Sequence, residues 1–163
     1  MTSSSILINY TNIYPAPVAS PNAAAQCSFD ADDRGYCYFC GMSSAVTTMS
    51  QSIDLFPYVT DIVSGNVSFN LSAWLGGWTN QDDSAQVSVD FLNYAYQIVG
   101  NRTTIGPVLA TDRGFTTSLV FRQNSGIIPK NTRYMTVIVT LIWYTGGYND
   151  GYIDNISVAL RRS

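Results

Sequence analysis

The residues best suited to chemistry in this chain are aspartates and aromatic residues in glycine-rich stretches. The closing stretch WYTGGYNDGYIDNISVAL, residues 143–160, has a Gly/Asn/Asp loop followed by an alternating strand. Counting alternate positions places Asp154 on the more apolar face of that strand. A carboxylate on such a face must be hydrogen-bonded or bound to a cation. Because calcium prefers carboxylate and carbonyl oxygens, we predict Asp154 as a structural calcium ligand, with Asp150 as a possible helper.

Aromatic side chains beside amides and carboxylates form a second candidate site. Sugars bind when their C–H groups stack on aromatic rings and polar side chains hold their hydroxyls. If the loops near residues 80 and 148 share one end of the fold, the predicted ligand-binding residues are Trp74, Trp78, Asn80, Asp82, Asp83, Tyr148 and Asn149. The alternative is that Trp74 fills an edge of the fold and Trp78 covers a loop.

Catalysis finds little support in the sequence. The chain has no histidine, so histidine-based triads and acid–base chemistry are excluded. It also lacks a G-x-S-x-G elbow and a phosphate-binding loop. Its 11 acidic residues are all aspartates, and pairs of them would permit glycoside hydrolysis. Turn acids or calcium ligands explain those aspartates better, and we predict that the protein is not an enzyme.

Composition narrows the class of protein. A chain of 163 residues suits one domain with a real core. Only 12% of its residues are charged, against 46% hydrophobic, which is typical of extracellular β proteins rich in Ser, Thr, Asn and Tyr. The net charge of −3 argues against a nucleic-acid partner, and no apolar run is long enough for a membrane span. We predict an extracellular or cell-surface location.

Sequons and cysteines bear on the same question. Five sequons, a mild excess for a Ser/Thr-rich chain, favour a secreted glycoprotein and lie at Asn9, Asn66, Asn70, Asn101 and Asn155. The three cysteines are Cys27, Cys37 and Cys40. Without histidine or a second cysteine pair, a zinc site is disfavoured. If the protein is secreted, we expect one disulfide from Cys27 to Cys37 or Cys40; the alternative is three small buried hydrophobic residues.

The strands that must position these groups are predicted by period-two alternation from about residue 47 onward. Apolar and polar residues alternate most clearly in 66–75, 85–91 and 134–144, and turn residues separate the runs. Many short strands with regular turns predict an antiparallel sandwich or barrel. Residues 1–35 differ, because an apolar stretch is followed by Pro and Ala. We expect them to form an N-terminal arm or first strand, and residues 36–163 to form the β-sandwich domain.

Residues 36–160 resemble the galactose-binding-domain-like β-sandwiches, a jelly-roll group that includes many carbohydrate-binding modules. The matching pieces, in order, are MSQSIDL (49–55), SFNLSAWLGGW (68–78), QDDSAQVSVDFL (81–92), IGPVLATDRG (105–114) and NDGYIDNISVAL (149–160). The resemblance implies an all-β, antiparallel jelly-roll sandwich and a non-catalytic binding module. It also implies a structural calcium near the chain ends, for which Asp154 occupies the usual ligand position. The family's usual opening, with a glycine, an acid and a tryptophan, is absent from residues 1–35.

Two functions follow as hypotheses. The first is an extracellular, lectin-like module that binds glycans. The second is a glycosylated structural subunit that assembles into a homo-oligomer or filament by adding its N-terminal strand to a neighbouring copy. Aromatic and acidic loops favour the first hypothesis. An apolar N-terminus and an odd number of cysteines favour the second.

Overall fold

The computed structural model describes residues 38–162 and the backbone of one strand near the N-terminus. Nine strands dominate it, with one short helix between the third and fourth. Their bounds are β1 Ser3–Leu7, β2 Phe39–Met42, β3 Val46–Asp54, α1 Val59–Ser64, β4 Val67–Gly77, β5 Ser84–Leu92, β6 Thr103–Ile105, β7 Ser118–Ile127, β8 Tyr134–Ile142 and β9 Asn149–Arg162. Single 3₁₀ turns span Phe56–Tyr58 and Thr111–Arg113.

Two antiparallel sheets pack face to face. Sheet A has the order β1–β9–β4–β7, and β2 also pairs with β9. Sheet B has the order β3–β8–β5–β6. The long strand β9 borders β1 along its second half and β2 along its first half. The predicted all-β, antiparallel jelly-roll sandwich is confirmed.

The core forms where the alternating residues of the two sheets meet. In β4 every odd-numbered residue from Val67 to Leu75 is buried, and the intervening residues are half-buried on the outer face. The apolar residues of β5 and β8, from Ala85 and Met135 onward, fill the same core. Because side chains alternate across a strand, this pattern fixes the inner face of both sheets. The predicted alternation in these strands is confirmed.

Strand β9 departs from simple alternation at a β-bulge. Ser72 of β4 pairs with Ser157, but Trp74 pairs with Asp154, so β9 has one extra residue in this interval. Asn155 lies there with φ of +47°, a left-handed conformation that asparagine tolerates better than most residues. For the residues of β9 that precede it, the bulge exchanges the inner and outer faces. Asp154 therefore lies on the outer face of sheet A, opposite Trp74, and the prediction that it faces the core is wrong.

The N-terminal segment contributes an edge strand. Backbone pairing joins Ser3–Leu7 to residues 157–161 of β9 in the antiparallel sense. This strand lies within residues 1–35, for which we predicted an N-terminal arm or first strand, and the division of the chain at residue 35 stays a prediction. Asn9, Cys27 and Cys37 lie outside the described residues.

Candidate functional site

The two loops that carry the predicted site share one end of the sandwich, and Asp83 ties them together. Its side chain is fully buried at the start of β5. One carboxylate oxygen accepts hydrogen bonds from the backbone N–H groups of Tyr144 and Thr145, at 2.6 and 2.9 Å. The other accepts one from the N–H of Asp150 at 2.9 Å. Asp83 therefore anchors the loop 143–150, and its predicted role as a ligand contact is not compatible with this position.

Asn149 is a second buried anchor. Its amide nitrogen donates to the carbonyls of Ser44 and Leu141, at 3.0 and 3.1 Å, and its amide oxygen accepts from the N–H of Gly151. A side chain at Gly41 would collide with this amide, so the chain crosses it closely. Only 1% of Asn149 is exposed, so its amide serves these backbone contacts, and its predicted role as a ligand contact stays a prediction.

Arg113 shapes the loop that follows β4. Its buried guanidinium donates to the carbonyls of Gly77, Thr79, Gln81 and Thr116, at 2.6 to 3.0 Å. Burial lowers the pKa of Arg113, and nearby groups, Asp82 foremost, oppose that effect. The buried Arg113 cation thus stabilises the loop through hydrogen bonds to its backbone carbonyls.

The predicted residues Asn80 and Asp82 lie in this loop and are exposed. Asp82 accepts a hydrogen bond from the N–H of Ala110 at 3.0 Å, so it also has a local structural partner. The side-chain oxygen of Asn80 accepts only from the neighbouring Thr79 hydroxyl, at 3.3 Å. Asn80 therefore keeps polar groups at the surface of this end.

An aromatic cluster covers the outer face of sheet A at the same end. Tyr38 and Tyr152 pack with ring centroids 4.7 Å apart, together with Cys40 and Leu119. The predicted Trp74 and Trp78 pack against this cluster and are half-buried. Next to it, Phe121 lies 5.6 Å from Trp74 between ring centroids and is 44% exposed.

A concave pocket opens at the corner where this cluster meets the loop 143–150. This corner pocket has a volume of about 270 Å³ and is lined by Tyr38, Cys40, Met42, Tyr148, Asn149, Asp150 and Tyr152. Tyr148, one of these lining residues, is 61% exposed. The Tyr152 hydroxyl donates to the Asp150 carboxylate at 3.3 Å. Burial raises the pKa of both groups, which marks a partly desolvated pair of polar groups.

The predicted calcium ligands do not form a shared site. Asp150 and Asp154 point to the same outer face, but they lie four positions apart along β9, roughly 13 Å at the usual rise of a strand. Asp154 already accepts the backbone N–H of Asn155 at 2.8 Å. Within residues 38–162, no three acidic or cysteine side chains are grouped to hold a metal ion. Asp150 and Asp154 therefore do not share one site, and the structural calcium stays a prediction.

The cysteine and sequon predictions concern residues around these surfaces. The buried Cys40 thiol donates to the Met42 sulfur at 3.4 Å, and burial raises its pKa. The disulfide itself stays a prediction, because Cys27 and Cys37 lie outside the described residues.

Asn66 and Asn101 are exposed, whereas Asn70 and Asn155 are half-buried in strands. Among the described residues, no helix is long and apolar enough to cross a membrane.

Sequence reasoning missed three residues of this end of the molecule. Tyr152 was expected in the core and is brought to the corner pocket by the bulge. Alternation along β7 places Phe121 on the same face as Leu119, but it does not show which face is the outer one. Only the pairing of β2 with β9 and of β7 with β4 places Tyr38 and Phe121 at the outer face of sheet A.

Comparisons with known proteins show the fold only. No family model and no curated protein matches the sequence. Among solved structures, the chain is similar to the enzymatically active domain of tailspike protein 4 from bacteriophage CBA120, with a TM-score of 0.58, 14% identity and 82% of this chain covered. This chain spans 17% of the length of that domain.

Two further solved structures are more distant. The VP2 subviral particle of infectious bursal disease virus gives a TM-score of 0.49 at 11% identity, over 76% of this chain and 29% of that one. TmCBM61 in complex with β-1,4-galactotriose gives 0.42 at 14% identity, over 80% and 74%. The galactose-binding-like family assignment stays a prediction.

Proposed function

We propose that this protein is a non-catalytic carbohydrate-binding module and that the corner pocket is its sugar site. The observation that carries the proposal is that the exposed Tyr148 and the half-buried Asp150 line the same cavity. An aromatic face for C–H groups beside hydrogen-bonding groups for hydroxyls is the chemistry that sugar recognition requires.

The size and rigidity of the pocket support the same proposal. A volume of about 270 Å³ lies just below the usual range for small-molecule sites, which suits a single sugar ring. Its walls come from β2, β9 and the loop before β9, and Asp83 and Asn149 fix that loop by five hydrogen bonds to backbone groups. A pocket fixed in advance loses little conformational entropy when a ligand binds.

The decisive experiment compares two tyrosines of one loop on a glycan array. Tyr148 and Tyr144 are 61% and 59% exposed, but only Tyr148 lines the pocket. Tyr148→Ala should weaken binding of the glycans that the wild type retains by about tenfold, which corresponds to one lost stacking contact. Tyr144→Ala should leave binding unchanged. Both variants should keep the melting temperature of the wild type, because both rings are mostly in solvent.

Equal binding by Tyr148→Ala and wild type would disprove the pocket as the sugar site. Absence of any retained glycan on a broad array would disprove the function. The proposed extracellular location and glycosylation are tested separately, by mass spectrometry of the secreted native protein for glycans at the exposed Asn66 and Asn101.

A second candidate function is assembly into a homo-oligomer or filament. Strand β1 is favoured as the exchanged element because it lies at the edge of sheet A and pairs through its backbone with residues 157–161. A copy of β1 from a neighbouring chain would make the same hydrogen bonds. Deleting residues 1–13 should convert oligomers to monomers in light scattering, and intact oligomers after the deletion would refute this route.

A further inference from the structure

A second cavity lies on the outer face of sheet A, toward the end opposite the corner pocket. This polar groove has a volume of about 430 Å³ and is lined by Ser68, Phe69, Asn70, Gln123, Ser125, Gly126, Ile127 and Arg161. The volume falls within the usual range for small-molecule sites. Its hydrogen-bonding groups are two serine hydroxyls, two carboxamides and one guanidinium.

The strand register arranges these groups around β4. Ser68 lies between Ile127 of β7 and Arg161 of β9, and Asn70 lies between Ser125 and Ala159. Neighbouring strands are about 4.8 Å apart, so β7 and β9 are separated by roughly 10 Å across β4. A single sugar ring fits that width, with polar side chains available on three sides.

The charge of the groove is unusual for this chain. The groove contains one arginine and no acid, although the net charge of the chain is −3. Among residues 38–162, five other arginines bind carboxylates or carbonyls through their side chains, namely Arg102, Arg113, Arg122, Arg133 and Arg162. No such partner is found for Arg161 in that part of the chain, and this exposed arginine lines the groove. An arginine so placed is available to pair with the anionic group of a ligand.

We propose that the polar groove binds an acidic sugar residue, with the sugar carboxylate on Arg161 and the ring hydroxyls on the side chains of β4 and β7. The negative charge of the ligand is inferred from the charge of the groove alone. Its attachment to a sugar rests on the proposed function and on the four neutral hydrogen-bonding groups, which a bare inorganic anion would leave unused. A protein partner is disfavoured because the groove is much smaller than a stable protein interface.

The test is an NMR titration of the full chain with methyl glucuronide, methyl glucoside and sodium sulfate as probes. Wild type should bind the glucuronide, bind it less as salt is added, and show shifts at the amides of residues 68–70 and 123–125. Arg161→Gln should weaken glucuronide binding about tenfold or more, since a charge-assisted pair is lost. The matched control is Arg162→Gln, because Arg162 pairs with Asp61 at 2.8 Å and does not line the groove. Mass spectrometry of the sample must show Asn70 unmodified, because a glycan there would occupy the groove.

Each outcome decides the proposal. Loss of glucuronide binding in Arg161→Gln but not in Arg162→Gln, with weaker binding of the glucoside, supports it. No glucuronide binding, or equal binding by Arg161→Gln, overturns it. Sulfate binding as strong as glucuronide binding overturns the sugar part and leaves an anion site. Failure of the corner pocket is a separate result, because its amides, at residues 148–152, report independently of those in the groove.

Discussion

Removal of the Asp83 carboxylate should destabilise the loop 143–150, which lines the corner pocket. The three backbone N–H groups on this carboxylate belong to Tyr144, Thr145 and Asp150. Hydrogen bonds to a charged acceptor contribute about 1.5 kcal/mol each or more, so the three come to about 4.5 kcal/mol. Water can replace part of this at the exposed Tyr144 and Thr145. We therefore expect Asp83→Ala to lower the free energy of unfolding by about 3–4 kcal/mol.

Asp82→Ala is the matched control, because Asp82 is the adjacent aspartate but is exposed and accepts a single hydrogen bond. Its loss should be about 1 kcal/mol. Urea unfolding followed by fluorescence measures both values, and the melting temperature should fall by about 10 °C for Asp83→Ala. If the two variants lose the same stability, Asp83 is not the anchor of this loop and the reasoning fails.

Three further perturbations test other parts of the structure. Gly76→Ala should destabilise the protein by about 3 kcal/mol in urea unfolding, because the new methyl group collides with the Ser118 carbonyl across the strand pair. In the control Gly147→Ala the methyl group meets nothing, and the loss should be less than about 1 kcal/mol. Similar losses in the two variants would contradict the strand register. Arg113→Met should cost about 3–5 kcal/mol by the same assay, since four backbone carbonyls lose a buried cation; a loss below about 1 kcal/mol, the value for an ordinary exposed ion pair, would show that the loop does not depend on it. Asp150→Asn should raise the melting temperature near neutral pH. Burial raises the pKa of this carboxyl above 3.8 in the folded protein, so its unfavourable contribution develops as pH rises from 3.8 through the raised value. The gain should therefore vanish below about pH 4, and a gain that is constant across the pH range would refute this assignment.

The fold was largely predictable from the sequence because one period dominates it. In β4, the apolar residues from Val67 to Leu75 occupy every second position, and burial of one sheet face requires that pattern. The same holds for β5 and β8. Strand order was not predictable in this way, because alternation identifies the buried face of a strand but not its neighbour. The positions of Tyr38 and Phe121 depend on that order.

The candidate site was predicted less well, for a reason that Asp83 and Asn149 illustrate. Both are polar residues in Gly/Asn/Asp-rich loops, the usual location of ligand-binding groups. In the structure they bond to backbone groups of neighbouring segments instead. A sequence shows that a polar side chain needs partners, but it does not show whether those partners are backbone amides or a ligand. Tyr148, which was also predicted, is mostly exposed and lines the pocket.

The bulge at Asn155 connects the fold to the site. A regular β9 would put Tyr152 and Asp154 in the core and Ile153 outside. One inserted residue exchanges these faces and keeps Ile156, Val158 and Leu160 buried beyond it. The first half of β9 therefore presents its polar and aromatic side chains beside Trp74, while the second half continues the core. A one-residue change in register is thus enough to build the inner wall of the corner pocket on a strand that also belongs to the core.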